Sequence, residues 1–367
     1  MPLTVCLAAR ALYFLDGGGG HFWAYLNWAL ALAALGCRVM WLETVDPRRP
    51  SSETSSNAAR LKRQLSRFLS AELVLDMPTP GHLGVEDAAH ADLLLDLSYG
   101  VRPEVIGAFR RSALVDIDPG LTQIWISEGQ FELARHDVYF SIGETVGTPD
   151  AAFPDCGLHW RYTPPPVYLH EWPEVLVDAG APYTTVSNWF GEWVVSRTES
   201  YANDKRSGFS EFFALPSLCD RRLELALVLP TGNDEERRFL EQRGWAVRDA
   251  FQVARTPESY RAYIQRSRGE FSGAKPSYTR LHTAWISDRT LCYLASGKPA
   301  IVQHTGRSRF LPDAEGLFRV RTVEEAARAL HAVELDYARH VRAARALAEE
   351  YFDGRRVLER VLEHALG

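Results

Sequence analysis

The stretch Phe14–Trp23 reads FLDGGGGHFW: four consecutive glycines, Gly17 to Gly20, and then His21 at the head of a long apolar run. Glycine lets a backbone pass close to another group and reach positive φ. A helix that starts after such a loop turns its free amides and positive end toward an anion. Gly18, Gly19 and Gly20 are therefore candidates for cradling a diphosphate or a sugar. The helix dipole disfavours imidazolium, so His21 tends to stay neutral and able to accept a proton. That suits a general base, and equally a helix-terminal ring that only contacts phosphate or solvent. A second cluster lies in Arg268–Gly306, RGEFSGAKPSYTRLHTAWISDRTLCYLASGKPAIVQHTG. Ser287 and Asp288 suit a helix N-cap, with Arg289 and Thr290 in the first turn. Free amides, a hydroxyl and a guanidinium together suit a diphosphate. Lys275 would reach the same phosphates as a point charge. Glu270, read as lying in a loop, would accept from ribose or sugar hydroxyls.

Other residues carry weaker signals. Asp116-Ile117-Asp118 has the form of a metal-binding DxD, but Asp118-Pro119-Gly120 is also turn chemistry. We read Asp116 as structural and Asp118 as a candidate cleft residue. Glu144, between Gly143 and Thr145, faces either a cleft or solvent. Glu43 ends a predicted strand where a dinucleotide fold places its ribose-binding acid. The glycines do not support that site: Arg10 to Asp16 separate them from the first strand, and either GxGxxG frame puts Phe22 or Trp23 at the last glycine. No P-loop is present. The five cysteines are scattered without a CxxC pair, which predicts free thiols and neither a disulfide framework nor a metal centre.

These residues need elements to hold them. Leu3–Ala8 reads as a buried strand, Phe22–Leu35 as a helix closed by Gly36, and RVMWLE (Arg38–Glu43) as a second strand. Further strands are predicted at Ala71–Met77, Ala91–Ser98 and Ser112–Asp118, and SSETSSN reads as a mobile loop. TPPPVYLHEWP, within Thr163–Pro182, sustains neither helix nor sheet because proline removes donors and fixes φ. Alternation then resumes with strands at Leu223–Pro230, Trp245–Ala250 and Pro299–Gln303. Helices are predicted over DEERRFLEQRG, over TPESYRAYIQRS with Thr256 as cap, and over Asp288–Ala295. From Thr322 the chain reads as helical. The expected fold is α/β: two Rossmann-like doubly wound domains, residues 1–165 and 183–367, joined by residues 166–182 and facing a cleft. The last helix is a candidate for packing back on the first domain.

The chain has 367 residues and a net charge of −6, which implies no basic surface for nucleic acid. The apolar run Phe22–Leu35 falls short of the ~20 residues of a membrane span, and no basic leader precedes it, so a cytoplasmic location is expected.

SDRTLCYLASGKPAIVQHTG resembles the donor-domain signature of the GT-B nucleotide-sugar-dependent glycosyltransferases: a helix, then small-Gly-x-Pro, then a strand. DIDPGLTQIW, GETVG and RGEFSGAK resemble a bacterial subgroup with spore-maturation-type relatives. The resemblance implies transfer of a hexose or deoxysugar from a UDP- or dTDP-type donor to a hydroxyl or amine. The acceptor would be a small molecule or glycan, as in natural-product or cell-surface glycan chemistry. It implies no cofactor beyond the nucleotide sugar and no metal. It assigns Arg289 and Lys275 to phosphate and Glu270 to sugar or ribose, with Ser287, Asp288, Thr290, Gln303 and Thr305 completing the donor side. Cys292 stands where many retaining members carry a glutamate. His21, Glu144 and Asp118 are the catalytic candidates. An NAD-dependent oxidoreductase and a non-catalytic nucleotide-sugar-binding protein are the alternatives.

Overall fold

The computed structural model describes residues 2–230, 232–312 and 315–367. A seven-stranded parallel sheet comes first: β1 (Thr4–Ala9), β2 (Arg38–Glu43), β3 (Glu72–Leu75), β4 (Leu93–Asp96), β5 (Ser112–Asp116), β6 (Val138–Ser141) and β7 (Trp160–Tyr162), in the order β3-β2-β1-β4-β5-β6-β7. Its strands are near-continuous apolar runs, as parallel strands covered on both faces must be. The second half contributes β8 (Tyr183–Asn188), a hairpin of β9 (Trp193–Val195) and β10 (Ser200–Ala202), then β11 (Leu223–Val228), β12 (Ala246–Asp249), β13 (Gly269–Ser272), β14 (Ala300–Gln303) and β15 (Leu317–Val320). Outside the hairpin these form a six-stranded parallel sheet, β12-β11-β8-β13-β14-β15. Among the described residues no helix is long and apolar enough to cross a membrane.

Several expectations change. SSETSSN opens the Ser51–Leu65 helix rather than a mobile loop, because Thr54, Ala58, Leu61 and Leu65 recur at helical spacing and are buried. RGEF supplies β13, so Glu270 is a strand residue and not a loop acid. Strands β6, β7, β8, β9, β10 and β15 are additional to the reading. The glycine helix begins earlier than expected, at Gly19, and ends at Ala34.

That Gly19–Ala34 helix is apolar nearly all round because it lies between the two halves. Its residues share one continuous core with Tyr260, Ile264, Leu291 and Tyr293 of the second half. Trp23 Nε1 donates to Pro257 O (2.8 Å), and its ring meets Trp172 edge-on at 4.7 Å. Asn27, the polar break in the run, is buried. It donates to Trp23 O and accepts from the Tyr168 amide, both at 3.0 Å, which pins the connecting segment. The chain finally crosses back: the Gly354–Leu366 helix lies on the first half, where Arg111 Nε donates to Ala365 O (2.8 Å).

Candidate functional site

The glycines make close contacts within the protein itself. A Cβ on Gly19 would stand 2.5 Å from both Ala254 O and Thr256 O, and one on Gly20 would stand 2.6 Å from the Tyr260 ring. A Cβ on Gly18 would strike Phe14 O at 1.9 Å. The close approach is to the protein itself: Gly19 and Gly20 let the helix start press against the second half, and Gly18 closes the turn that precedes it.

That helix start brings His21 to the junction. His21 Nε2 lies 2.5 Å from Arg10 O. A carbonyl only accepts, so Nε2 carries the proton and Nδ1 is left as the basic atom. Burial holds the ring's pKa below the usual histidine value, with Asp288 and Asp118 opposing that shift. Asp118 stands at the same junction and accepts from Tyr278 Oη of the second half at 3.2 Å. Burial pushes its carboxyl up, and Lys275 opposes the shift. His21, Asp118, Lys275 and Asp288 thus lie within electrostatic reach of one another across the boundary.

Asp116 behaves as structure. It accepts from Tyr99 Oη, Thr122 Oγ1, Gln123 Nε2 and Ser141 Oγ, so both oxygens are engaged. Glu144 is drawn away from the junction. Its carboxylate accepts from Ser308 Oγ, the Arg309 amide and Arg309 Nε of the second half, which makes it a clamp and leaves no free oxygen for base chemistry. Glu43 accepts from the Ala11 and Leu12 amides and from Trp41 Nε1, so it is not open to a ribose.

On the second sheet, Ser272, Ser287, Arg289, Thr290, Gln303 and Thr305 line one narrow cavity of about 20 Å³. Ser287 caps the Asp288–Ala295 helix, its Oγ accepting from the Arg289 amide at 3.3 Å. Gln303 accepts from the Ala274 amide (2.8 Å) and Thr305 donates to Trp285 O (2.6 Å), so both shape the cavity rim. Arg289 is buried and spends its donors on Glu270 (2.8 Å), Val186 O (3.1 Å) and Ser272 Oγ (2.6 Å). Glu270 is its counter-ion from behind, and Oε2 of Glu270 is buried without a partner. Lys205, which the sequence does not single out, completes the cavity. It is buried, its Nζ donates to Gly273 O, and among the described residues it has no carboxylate within ion-pair distance. Burial and the nearby Arg289 and Lys275 hold its pKa well below the usual lysine value. Nothing but the neighbouring Asp204 cap marks it in the sequence. Cys292 is buried one turn along the helix and donates to Asp288 O.

No family model matches the chain, and no curated protein does. Solved structures match over nearly their full lengths. HepE of Anabaena in complex with UDP is 12% identical, with 99% of each chain covered and a TM-score of 0.58. An α-glucosyltransferase in complex with UDP and a DNA 13-mer is 13% identical, with 100% of each chain covered and a TM-score of 0.58. AviGT4, a glycosyltransferase of avilamycin A biosynthesis, is 15% identical over 99% of this chain and 97% of its own, with a TM-score of 0.54.

The chain has the GT-B fold. In GT-B terms the cavity lies at the carboxyl ends of the second sheet's strands, and His21 and Asp118 come from the carboxyl ends of the first. That is where open α/β sheets place ligands.

Proposed function

We propose that the protein is a metal-independent glycosyltransferase. It moves a hexose or deoxysugar from a nucleoside diphosphate sugar to a hydroxyl or amine of a small-molecule or glycan acceptor. The observation that carries this reading is Lys205, a buried amine that among the described residues has no carboxylate within ion-pair distance, beside Arg289 and Lys275. Such a site is incomplete until an anion with several oxygens enters it. The fold's likeness to proteins solved with UDP supports the same donor class.

The chemistry then divides between the halves. The acceptor oxygen bonds to the anomeric carbon, the bond from that carbon to the diphosphate oxygen breaks, and the electron pair leaves with the diphosphate. Lys205, Lys275 and Arg289 stabilise the charge that develops there. His21 Nδ1 takes the acceptor's proton. Asp116, with both oxygens held by protein donors, is not disposed to bind a cation. A cavity of about 20 Å³ has room for little more than one water, so donor binding has to widen it.

Calorimetry with UDP, dTDP, GDP and NAD, together with UDP-glucose turnover, tests the reading. UDP or dTDP should bind while NAD does not, and turnover should survive EDTA. NAD binding without nucleotide diphosphate binding would refute it. Donor binding with no turnover under any acceptor would leave a nucleotide-sugar-binding protein. Loss of turnover in EDTA with recovery on Mg²⁺ would refute metal independence.

A further inference from the structure

The order of the first sheet reverses between β1 and β4, which are adjacent but lead into loops that part. A crevice opens at such a point. Arg10 is the first residue beyond β1, and Tyr99 lies just beyond β4. Tyr99 holds a left-handed backbone, φ 59°, which is rare for an aromatic residue and marks a site that its surroundings over-determine. Its hydroxyl donates to Asp116 (3.0 Å) and accepts from the Ile117 and Asp118 amides. One wall of the crevice is therefore rigid.

Arg10 follows β1 on the other side of that switch point. Its guanidinium lies 5.8 Å from the Phe14 ring centroid and, among the described residues, makes no hydrogen bond or ion pair. Arginines elsewhere in the first half are matched, Arg48 with Asp46, Arg49 with Glu53 and Arg60 with Asp16. The charge of Arg10 reaches His21 and Tyr25, and its own carbonyl accepts the His21 proton. The residue that orients the base thus also presents an unmatched cation beside it. The helix that starts at Gly19 brings its positive end to the same place.

We propose that this crevice takes an acceptor bearing an oxyanion, a carboxylate or a phosphate. Arg10 binds the oxyanion and so delivers the acceptor's hydroxyl to His21 Nδ1. The inference rests on the glycosyl-transfer reading and names its acceptor class. Arg10 determines specificity, and its two-donor fork suits either anion.

Glucose, glucuronate and glucose 6-phosphate share a ring and differ in the oxyanion. Each is titrated calorimetrically into the protein saturated with UDP, for the wild type, Arg10→Ala and Arg10→Lys. The anionic probes should bind wild type at least about tenfold tighter than glucose, as a charged hydrogen-bond pair implies. That advantage should vanish in Arg10→Ala and return in part in Arg10→Lys, with UDP affinity unchanged. The tighter of the two anions identifies carboxylate or phosphate. Equal binding or no binding of all three probes by the wild type would overturn the proposal, as would a preference that survives Arg10→Ala. Weaker UDP binding in Arg10→Ala would also overturn it, by moving Arg10 to the donor. Failure of the glycosyltransferase reading looks different: no UDP binding, while the anion preference measured without nucleotide remains.

Discussion

Replacing Lys205 by methionine should move binding and stability in opposite directions. Lys205 lines the cavity on the second sheet, with Arg289, Lys275, Glu270 and Asp288 as its charged neighbours. A cation–phosphate hydrogen bond contributes about 1.5–3 kcal/mol, so Lys205→Met should raise the Kd for UDP by roughly 10- to 150-fold at 1.4 kcal/mol per decade. In the ligand-free protein the balance differs. The lost hydrogen bond to Gly273 O is worth about 1.5–3 kcal/mol when the donor is charged, whereas the buried charge costs several kcal/mol in desolvation. Two nearby cations add to that cost, and the carboxylates of Glu270 and Asp288 offset part of it. Ligand-free Lys205→Met should therefore be at least as stable as wild type in thermal unfolding. Proton linkage gives a third readout. Burial and its cationic neighbours lower the Lys205 pKa, and an arriving diphosphate raises it again, so UDP binding takes up protons at pH values between the lowered and the raised pKa. Calorimetry in buffers of different ionisation enthalpy should show net uptake in wild type and none in Lys205→Met. An unchanged Kd, or a variant that unfolds well below wild type without any proton-linkage difference, would refute Lys205 as an anion receptor.

Three further outcomes follow from the same geometry. His21→Ala should bind donor normally and lose about 10²- to 10⁴-fold in kcat. Because burial lowers the His21 pKa, the acid limb of wild-type kcat should lie below the ordinary histidine value and be absent from the variant; a variant with wild-type kcat and an intact limb removes His21 as the base. Gly19→Val drives a side chain into two backbone carbonyls that cannot yield, so urea unfolding should show a loss of about 1–3 kcal/mol, and an unchanged midpoint would show that the halves do not meet there. Glu43 is pushed up to about 7 from an ordinary 4.5 by burial, so the folded state holds its proton longer than the unfolded one. Wild type should lose stability relative to Glu43→Gln as pH rises from about 4.5 to about 7, with no further change above; parallel melting curves across that window would contradict it.

Local patterns in the chain made much of this legible. Short apolar runs with turn residues between them announce parallel strands, and β1, β2 and β11 lie where the runs are. Thr256 and Pro257 announce a helix start, and Thr256 Oγ1 does accept from the Ser259 amide at 3.2 Å. The polar turn Ser287–Thr290 announces the helix that borders the cavity. These features depend on a few neighbouring residues and on hydrogen bonds that close within one turn or one strand. Four things depended on contacts between distant segments. Glu270 reads as a loop acid until β13 is slotted between β8 and β14, which buries it against Arg289. Glu144 reads as a free acid until the loop at Ser308 and Arg309 folds over it. The close contact of Gly19 with the carbonyls of Ala254 and Thr256, more than 230 residues away, is invisible until the two halves meet. Lys205 carries no mark of its own in the sequence, and only the closing of the second sheet around it buries it. Spacing along a chain reports which groups share a turn or a face, but the desolvation that gives a charge its chemistry is set by whichever distant segments exclude water from it.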